Sequence, residues 1–268
     1  GRTPNPCVNC NTFLKFDHLV TKMKELNCDY MATGHYVQSQ SLNADGSSQT
    51  VLVKGRDPFK DQSYFLFTLK KEILPHLLFP VGDMTKDEVR HHAQRFGLAN
   101  ARKKDSQEIC FVSKLGYSKF IETRVGQDLL QKGNIVLMPE GKVVGTHDGI
   151  HNFTVGQRKG LNVPSQVPLH VIKIDTQDNT VYVGPESQLY SQEMKVKDIN
   201  WMVSPRLDEE YEIKIRYRHS GAKARLEPTS DGKYVVRFTQ GAQRAITPGQ
   251  AAVFYKGDVL CGGGWIAN

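Results

Sequence analysis

The chain has 268 residues, 39% apolar and 24% charged, with a formal net charge of +7 and a pI near 9.1. That length and balance accommodate two or three modest domains with ordinary cores, and exclude a wholly disordered chain. No apolar run approaches a membrane span and no basic-then-apolar leader opens the sequence. The positive balance favours an anionic partner, with nucleic acid first. The five cysteines, Cys7, Cys10, Cys28, Cys110 and Cys261, are few and odd in number. They point to a reducing compartment rather than a secreted disulfide scaffold. The opening Gly1-Arg2-Thr3-Pro4-Asn5-Pro6 has no initiating Met and reads as the interior of a longer protein.

In chain order, apolar residues Phe16, Leu19, Val20, Met23 and Leu26 recur at helical spacing and predict a helix over 13–27. Residues 28–32 read as a short buried strand, ending at the corner Thr33-Gly34-His35. A helix followed by such a strand is α/β organisation. Residues 38–50 are polar and read as a hairpin loop, from which Val51-Leu52-Val53 returns as a strand. Residues 61–69 and 70–78 look helical, the second interrupted by Pro75. Thr85 with Glu88 predicts a capping box for a helix running to about Phe96 and stopping at Gly97. Residues 117–130 suggest another helix. Beyond Gly133 the chain becomes short strands and turns. The runs 169–174 and 180–183 flank Asp178-Asn179 as a hairpin. Alternation at Tyr211, Ile213, Ile215 and Tyr217, then at Tyr234, Val236 and Phe238, and at Ala251, Val253 and Tyr255, predicts a C-terminal β-barrel or sandwich.

Several clusters could carry chemistry. Cys7-Val8-Asn9-Cys10 reads as half of a zinc site, as a redox or sulfur-handling pair, or as two packed thiols. No second pair with ligand spacing exists, and the stiff Pro4 and Pro6 argue for exposure. His35, at the C-terminal end of a strand, stands where open α/β sheets bind ligands, or simply satisfies a loop carbonyl. The dense segment from Lys54 to Tyr64 suits phosphate contact, or equally a helix start capped by Asp61. Arg102, Lys103 and Lys104 precede Cys110, whose thiolate such cations would favour. The alternative is a small buried cysteine after a surface loop.

Taken together, these segments resemble the tRNA-specific 2-thiouridylase family. The resemblance is carried by Gly1-Arg2-Thr3-Pro4-Asn5-Pro6, Cys10-Asn11, Lys15-Phe16, Ala32-Thr33-Gly34-His35-Tyr36, Lys60-Asp61-Gln62-Ser63-Tyr64-Phe65-Leu66 and Asp105-Ser106-Gln107-Glu108-Ile109-Cys110-Phe111. It continues through 149–160, Ile215-Arg216-Tyr217 and 247–251, so it spans the chain in order. The fold it implies is α/β followed by β. Residues 1–115 would be the remainder of an adenine-nucleotide α-hydrolase-like (PP-loop) domain, 116–190 a small central domain and 191–268 a C-terminal β-barrel. The resemblance further implies ATP-dependent thiolation, with Mg2+, at C2 of the wobble uridine of tRNAs for Lys, Glu and Gln. The sulfur would come from a persulfide donor protein.

By position, the resemblance makes Cys110 the persulfide carrier and Cys10 its partner thiol, with a Cys10–Cys110 disulfide formed in turnover. It places Gly34 at the nucleotide, and Asn5, Pro6, Cys7, His35, Lys60, Asp61, Gln62, Arg216, Tyr217 and Gln250 at the tRNA, with no metal ligand. It implies a monomer off the membrane, in a bacterial cytoplasm or a mitochondrial matrix. Two departures stand out. The family's Ser-Gly-Gly-x-Asp-Ser-Ser phosphate loop is not in this sequence, so it is expected upstream of Gly1, and the chain alone is expected to be inactive. Many members also carry Asp where Cys7 stands, which leaves an acid/base role there open and makes Cys7 a rival to Cys10. The competing readings are a PP-loop enzyme acting on a small molecule, a non-catalytic RNA- or zinc-binding module, and a tRNA methyltransferase. The last lacks a glycine-rich S-adenosylmethionine loop.

Overall fold

The computed structural model describes residues 1–44, 47–103, 109–110, 112, 116–126 and 130–267. Its first feature is one continuous helical rod: α1 (Pro6–Asn9), a π-helical stretch (Cys10–Asp17) and α2 (His18–Glu25). Pro6 at the first helical position fixes φ where the missing N–H costs nothing. The helix therefore starts before the predicted residue 13, and both cysteines of the C-x-x-C pair lie inside it. It ends in a Schellman motif. Asn27 takes φ +52, its N–H donates to the Lys24 carbonyl, and the Cys28 N–H donates to the Met23 carbonyl. Val8, Phe16, Val20 and Met23 face the core, whereas Leu19 and Leu26 turn outward with Phe13 and Leu14. The spacing is helical, but the buried face is narrower than the apolar pattern predicts.

Two short parallel strands, β1 (Met31–Ala32) and β4 (Leu77–Leu78), pair beside this helix. The polar stretch read as a loop is instead the long hairpin β2 (Val37–Ala44) and β3 (Ser47–Lys54), paired throughout from Val37↔Lys54. The predicted helices over 61–78 shorten to 3-10 turns, Ser63–Leu66 and Lys71–His76. Pro75 forbids α continuation in the second. The first lies with Ser63, Tyr64, Leu66, Phe67 and Leu69 all buried. Helix α3 (Lys86–Arg95) has the predicted capping box, with Glu88 N–H donating to Thr85 Oγ1, and Gly97 beyond it takes φ +65. Asp57 reinforces this start by accepting from the Lys86 N–H at 3.0 Å. Helix α4 is shorter than expected (Tyr117–Glu122). Residues 127–129 of that expected helix, and 104–108 of the basic stretch before Cys110, lie outside the described residues.

A four-stranded sheet follows, in the order β6 (Lys142–His147), β5 (Gly133–Leu137), β8 (Thr180–Gly184), β7 (His170–Asp175). Its β7–β8 pair is the predicted hairpin, with Asn179 at φ +48 in the turn. A small pair joins β9 (Tyr190–Ser191) to β14 (Gln243–Arg244). The last six long strands are β10 (Glu193–Trp201), β11 (Tyr211–Lys214), β12 (Ala222–Pro228), β13 (Tyr234–Phe238), β15 (Ala251–Lys256) and β16 (Val259–Ile266). They close in the order β10-β13-β12-β11-β15-β16-β10 into a barrel, as the alternation predicts.

Strand β15 couples the two halves of the molecule. Ala252 and Phe254 point into the barrel core. Ala251, Val253 and Tyr255 pack on Tyr64, Phe67 and Leu69 outside it. Each such buried aromatic or aliphatic side chain contributes about 2 kcal/mol. Gly263 makes the seam possible, because a Cβ there would lie 2.7 Å from the Phe67 ring and 2.8 Å from the Ala252 carbonyl. Strand β3 joins the barrel sheet through Val53↔Val259, so helix, hairpin and barrel share one framework.

Candidate active site

A cavity of about 1940 Å³ opens where these three parts meet. The first helix lines it with Cys7, Cys10, Asn11 and Lys15, and the turn after β3 with Gly55, Arg56, Lys60, Asp61 and Gln62. The barrel adds Lys214, Arg216, Tyr217, Arg218, His219 and Gln250, and Cys110 reaches in from its own loop. Strand β11 stops at Lys214, short of the predicted alternation. The chain then turns, with His219 N–H donating to the Arg216 carbonyl, and this carries Arg216 and Tyr217 to the cavity.

Its walls are held by the chain's own polar groups. The Asp61 carboxylate is buried and accepts from Gly55 N–H (3.1 Å), Ser63 N–H (3.0 Å) and Ser63 Oγ (3.0 Å), with Lys214 Nζ at 3.9 Å. Asp61 thus caps the Ser63 turn as one sequence alternative held, but from a buried position. Gln62 Oε1 accepts from Tyr36 N–H at 3.0 Å, and its own N–H donates to the Tyr36 carbonyl. Gln250 Nε2 donates to the Thr3 carbonyl at 2.9 Å, tying the first residues to the barrel. The Tyr217 ring lies 4.5 Å from that of Phe65. Cations dominate the lining. Lys54 pairs with Glu212 at 2.9 Å and Arg56 with Glu88, whereas Lys15 and Arg218 have no ion pair among the described residues.

Three models of known families together cover this architecture. They are a "tRNA methyl transferase HUP domain" over residues 1–114, a "tRNA methyl transferase PRC-barrel domain" over 118–185 and an "Aminomethyltransferase beta-barrel domain" over 191–266. The tRNA-specific 2-thiouridylase MnmA of Geotalea uraniireducens is 50% identical over 269 residues, covering 100% of this chain and 70% of that protein. Those of Rickettsia akari (45% over 271 residues; 100% and 72%) and Acetivibrio thermocellus (42% over 268 residues; 99% and 73%) are also similar along the whole chain. The chain belongs to the tRNA-specific 2-thiouridylase family.

In this 2-thiouridylase-family chain all five cysteines are free thiols. Cys7, Cys10 and Cys110 share the cavity. Cys28 is exposed elsewhere. Cys261 is buried in the barrel, where desolvation pushes its thiol up to about 11. The Cys7 thiol is raised above its ordinary value by burial first, then by Cys110 and Cys10, with Lys15 opposing. Of the other expected site residues, Asn5 and Pro6 sit at the helix start beside Cys7 but are not among the residues that line the cavity. Gly34 follows β1 and is exposed; a side-chain methyl there would meet nothing within 4 Å, and Gly34 is not among the residues that line the cavity. Asn11, Lys15, Arg218 and His219 were not among the expected residues. Asn11 and Lys15 continue the Cys7 face at helical spacing, a signal readable from sequence once the helix start is known.

His35 is buried at that strand end, accepting from Thr33 Oγ1 (2.9 Å) and donating from Nε2 to Asn11 Oδ1 (3.1 Å). Burial first, then Lys15, depresses its pKa to about 4. The unfolded chain takes up this proton near pH 6.5, while the folded chain refuses it until about pH 4. His35 therefore costs stability as pH falls through that window, by about 3 kcal/mol in all, and nothing above it. Urea unfolding as a function of pH is expected to show this slope, and His35→Gln to flatten it. An unchanged slope in the variant would refute the assignment.

Proposed function

We propose that the protein is an ATP-dependent tRNA-uridine 2-sulfurtransferase that thiolates C2 of the wobble uridine in tRNAs for Lys, Glu and Gln. The observation that carries this reading is the convergence of Cys10 and Cys110, distant in sequence, on one basic cavity. The relatives, tRNA-specific 2-thiouridylases by name, agree with it.

ATP, with Mg2+, would adenylate the C2 oxygen with release of pyrophosphate, so that AMP becomes the group displaced from C2. Gly34, exposed at the strand end, suits an approaching nucleotide. The phosphate-loop motif that would hold the ATP phosphates is not among residues 1–268. A donor protein loads Cys110 as a persulfide. The outer sulfur attacks C2 and AMP departs. Cys10 thiolate then attacks Cys110 Sγ and breaks the persulfide S–S bond. Sulfur stays on C2 and a Cys10–Cys110 disulfide forms.

A wobble uridine must leave its stack to be reached. The Tyr217–Phe65 ring pair offers such a base an aromatic platform. Lys60 and Arg216 suit phosphate oxygens. Asn5, Pro6, Cys7 and Gln250 border the base. His35, Asp61 and Gln62 act chiefly by holding the walls. In this reading residues 1–115, 116–190 and 191–268 are the PP-loop remainder, the central domain and the barrel of a monomer working in the cytoplasm.

The test is labelled-sulfur transfer from a persulfide donor to tRNA by the full-length protein. Label is expected only with ATP and only in the wobble nucleotide. Label that never enters tRNA, or that enters without ATP, sinks the reading. Turnover of a small molecule without tRNA would favour the PP-loop alternative.

A further inference from the structure

The scheme above gives Cys7 no chemical task, yet its thiol shares the cavity with the two reacting ones. Cys7 and Cys10 sit one turn apart at the helix start, the arrangement of dithiol redox pairs. Burial first, then Cys110 and Cys10, raise the Cys7 thiol, so Cys7 feels both of the others. Cβ atoms three residues apart in a helix lie about 5–6 Å from each other, and a disulfide needs about 4 Å. The required shift falls where the rod passes from α1 into its π-helical stretch at Cys10. Such wide turns are common at functional sites.

Building on the thiolation reading, we propose that Cys7 is the resetting thiol. It attacks Cys10 Sγ in the spent Cys10–Cys110 disulfide, forms a Cys7–Cys10 disulfide and frees Cys110 for reloading. The exchange balances internally. The Cys7–Cys10 bond forms as the Cys10–Cys110 bond breaks, and the electron pair leaves on Cys110 Sγ. Cys7 is oxidised, Cys110 is reduced, and the proton lost by Cys7 ends on Cys110. A dithiol reductant in solution then reopens Cys7–Cys10.

The experiment uses full-length protein, loaded as the persulfide, given ATP and tRNA without reductant for one turnover, and acid-quenched. Free thiols are alkylated and linked peptides mapped by mass spectrometry. Wild type is expected to show Cys7 linked to Cys10 and Cys110 alkylated. Cys7→Ser is expected to retain Cys10–Cys110 and to turn over about tenfold more slowly with a dithiol reductant. Wild-type protein that keeps Cys10–Cys110 joined with Cys7 alkylated overturns the proposal, and this result does not depend on how the variant folds. Repeated turnover of Cys7→Ser at the wild-type rate also overturns it. Absence of thiolated tRNA in wild type instead defeats the thiolation reading beneath it.

Discussion

Replacing Cys110 by serine in the full-length protein is expected to abolish sulfur transfer to tRNA, by about a thousandfold or more, while leaving tRNA binding largely in place. Serine keeps the shape of the side chain but cannot carry a sulfane sulfur, so neither loading nor transfer can occur. Cys10→Ser should fail one step later. It should still accept sulfur on Cys110 and attack C2 with it, but not break the persulfide bond, so label accumulates on protein still joined to tRNA. Gel autoradiography of protein and tRNA in parallel separates the two. Label on tRNA at near wild-type rate in Cys110→Ser would remove that residue from the mechanism. An unlabelled Cys10→Ser protein would place Cys10 in the loading step instead.

The second large effect is structural. Asp61→Ala strips the acceptor from Gly55 N–H, Ser63 N–H and Ser63 Oγ in a site 5% exposed, and leaves Lys214 without its carboxylate. Unsatisfied buried donors of this kind cost about 3 kcal/mol together. Asp61→Asn, which retains one oxygen, should lose less. The Ser63 hydroxyl also meets Tyr255 Oη at 3.0 Å, on the strand that joins cavity wall and barrel. The wall should therefore loosen with the fold, and sulfur transfer should fall in step with stability. Urea unfolding of the three proteins tests this. A loss in Asp61→Ala below about 1 kcal/mol would show that the carboxylate is dispensable as an anchor.

Elements whose cause lies within one turn were legible from sequence. Thr85 and Glu88 announce the start of α3 because their side chains bond to backbone three residues away. Asn179 turns β7 into β8 because asparagine tolerates positive φ. Alternation at Tyr211, Ile213, Val236 and Phe238 marks a half-buried barrel wall because strand side chains change faces at every residue. The C-x-x-C pair and Cys110 were likewise visible as thiols with chemistry open to them.

Contacts distant in the chain decided the rest. Polar 38–50 looks like a loop by composition, but its backbone pairs along the whole hairpin, a bond that polar side chains do not oppose. Leu19 and Leu26 fit the helical period yet face outward, because which side of a helix is buried depends on what packs against it. Residues 251–255 read as a one-sided strand but are buried on both faces, since the Tyr64 turn covers the outer one.

The sequence alone determined which residues carry thiols, cations and rings, because side-chain chemistry belongs to each residue separately. Only the tertiary structure decided that Cys7, Cys10 and Cys110 share a cavity and that His35 stays neutral. It also decided that Asp61 is spent on holding a wall. Proximity and desolvation are properties of the packed chain, created by bonds such as Tyr64 Oη to the Ala251 carbonyl and Gln250 to Thr3 that close most of the chain's length.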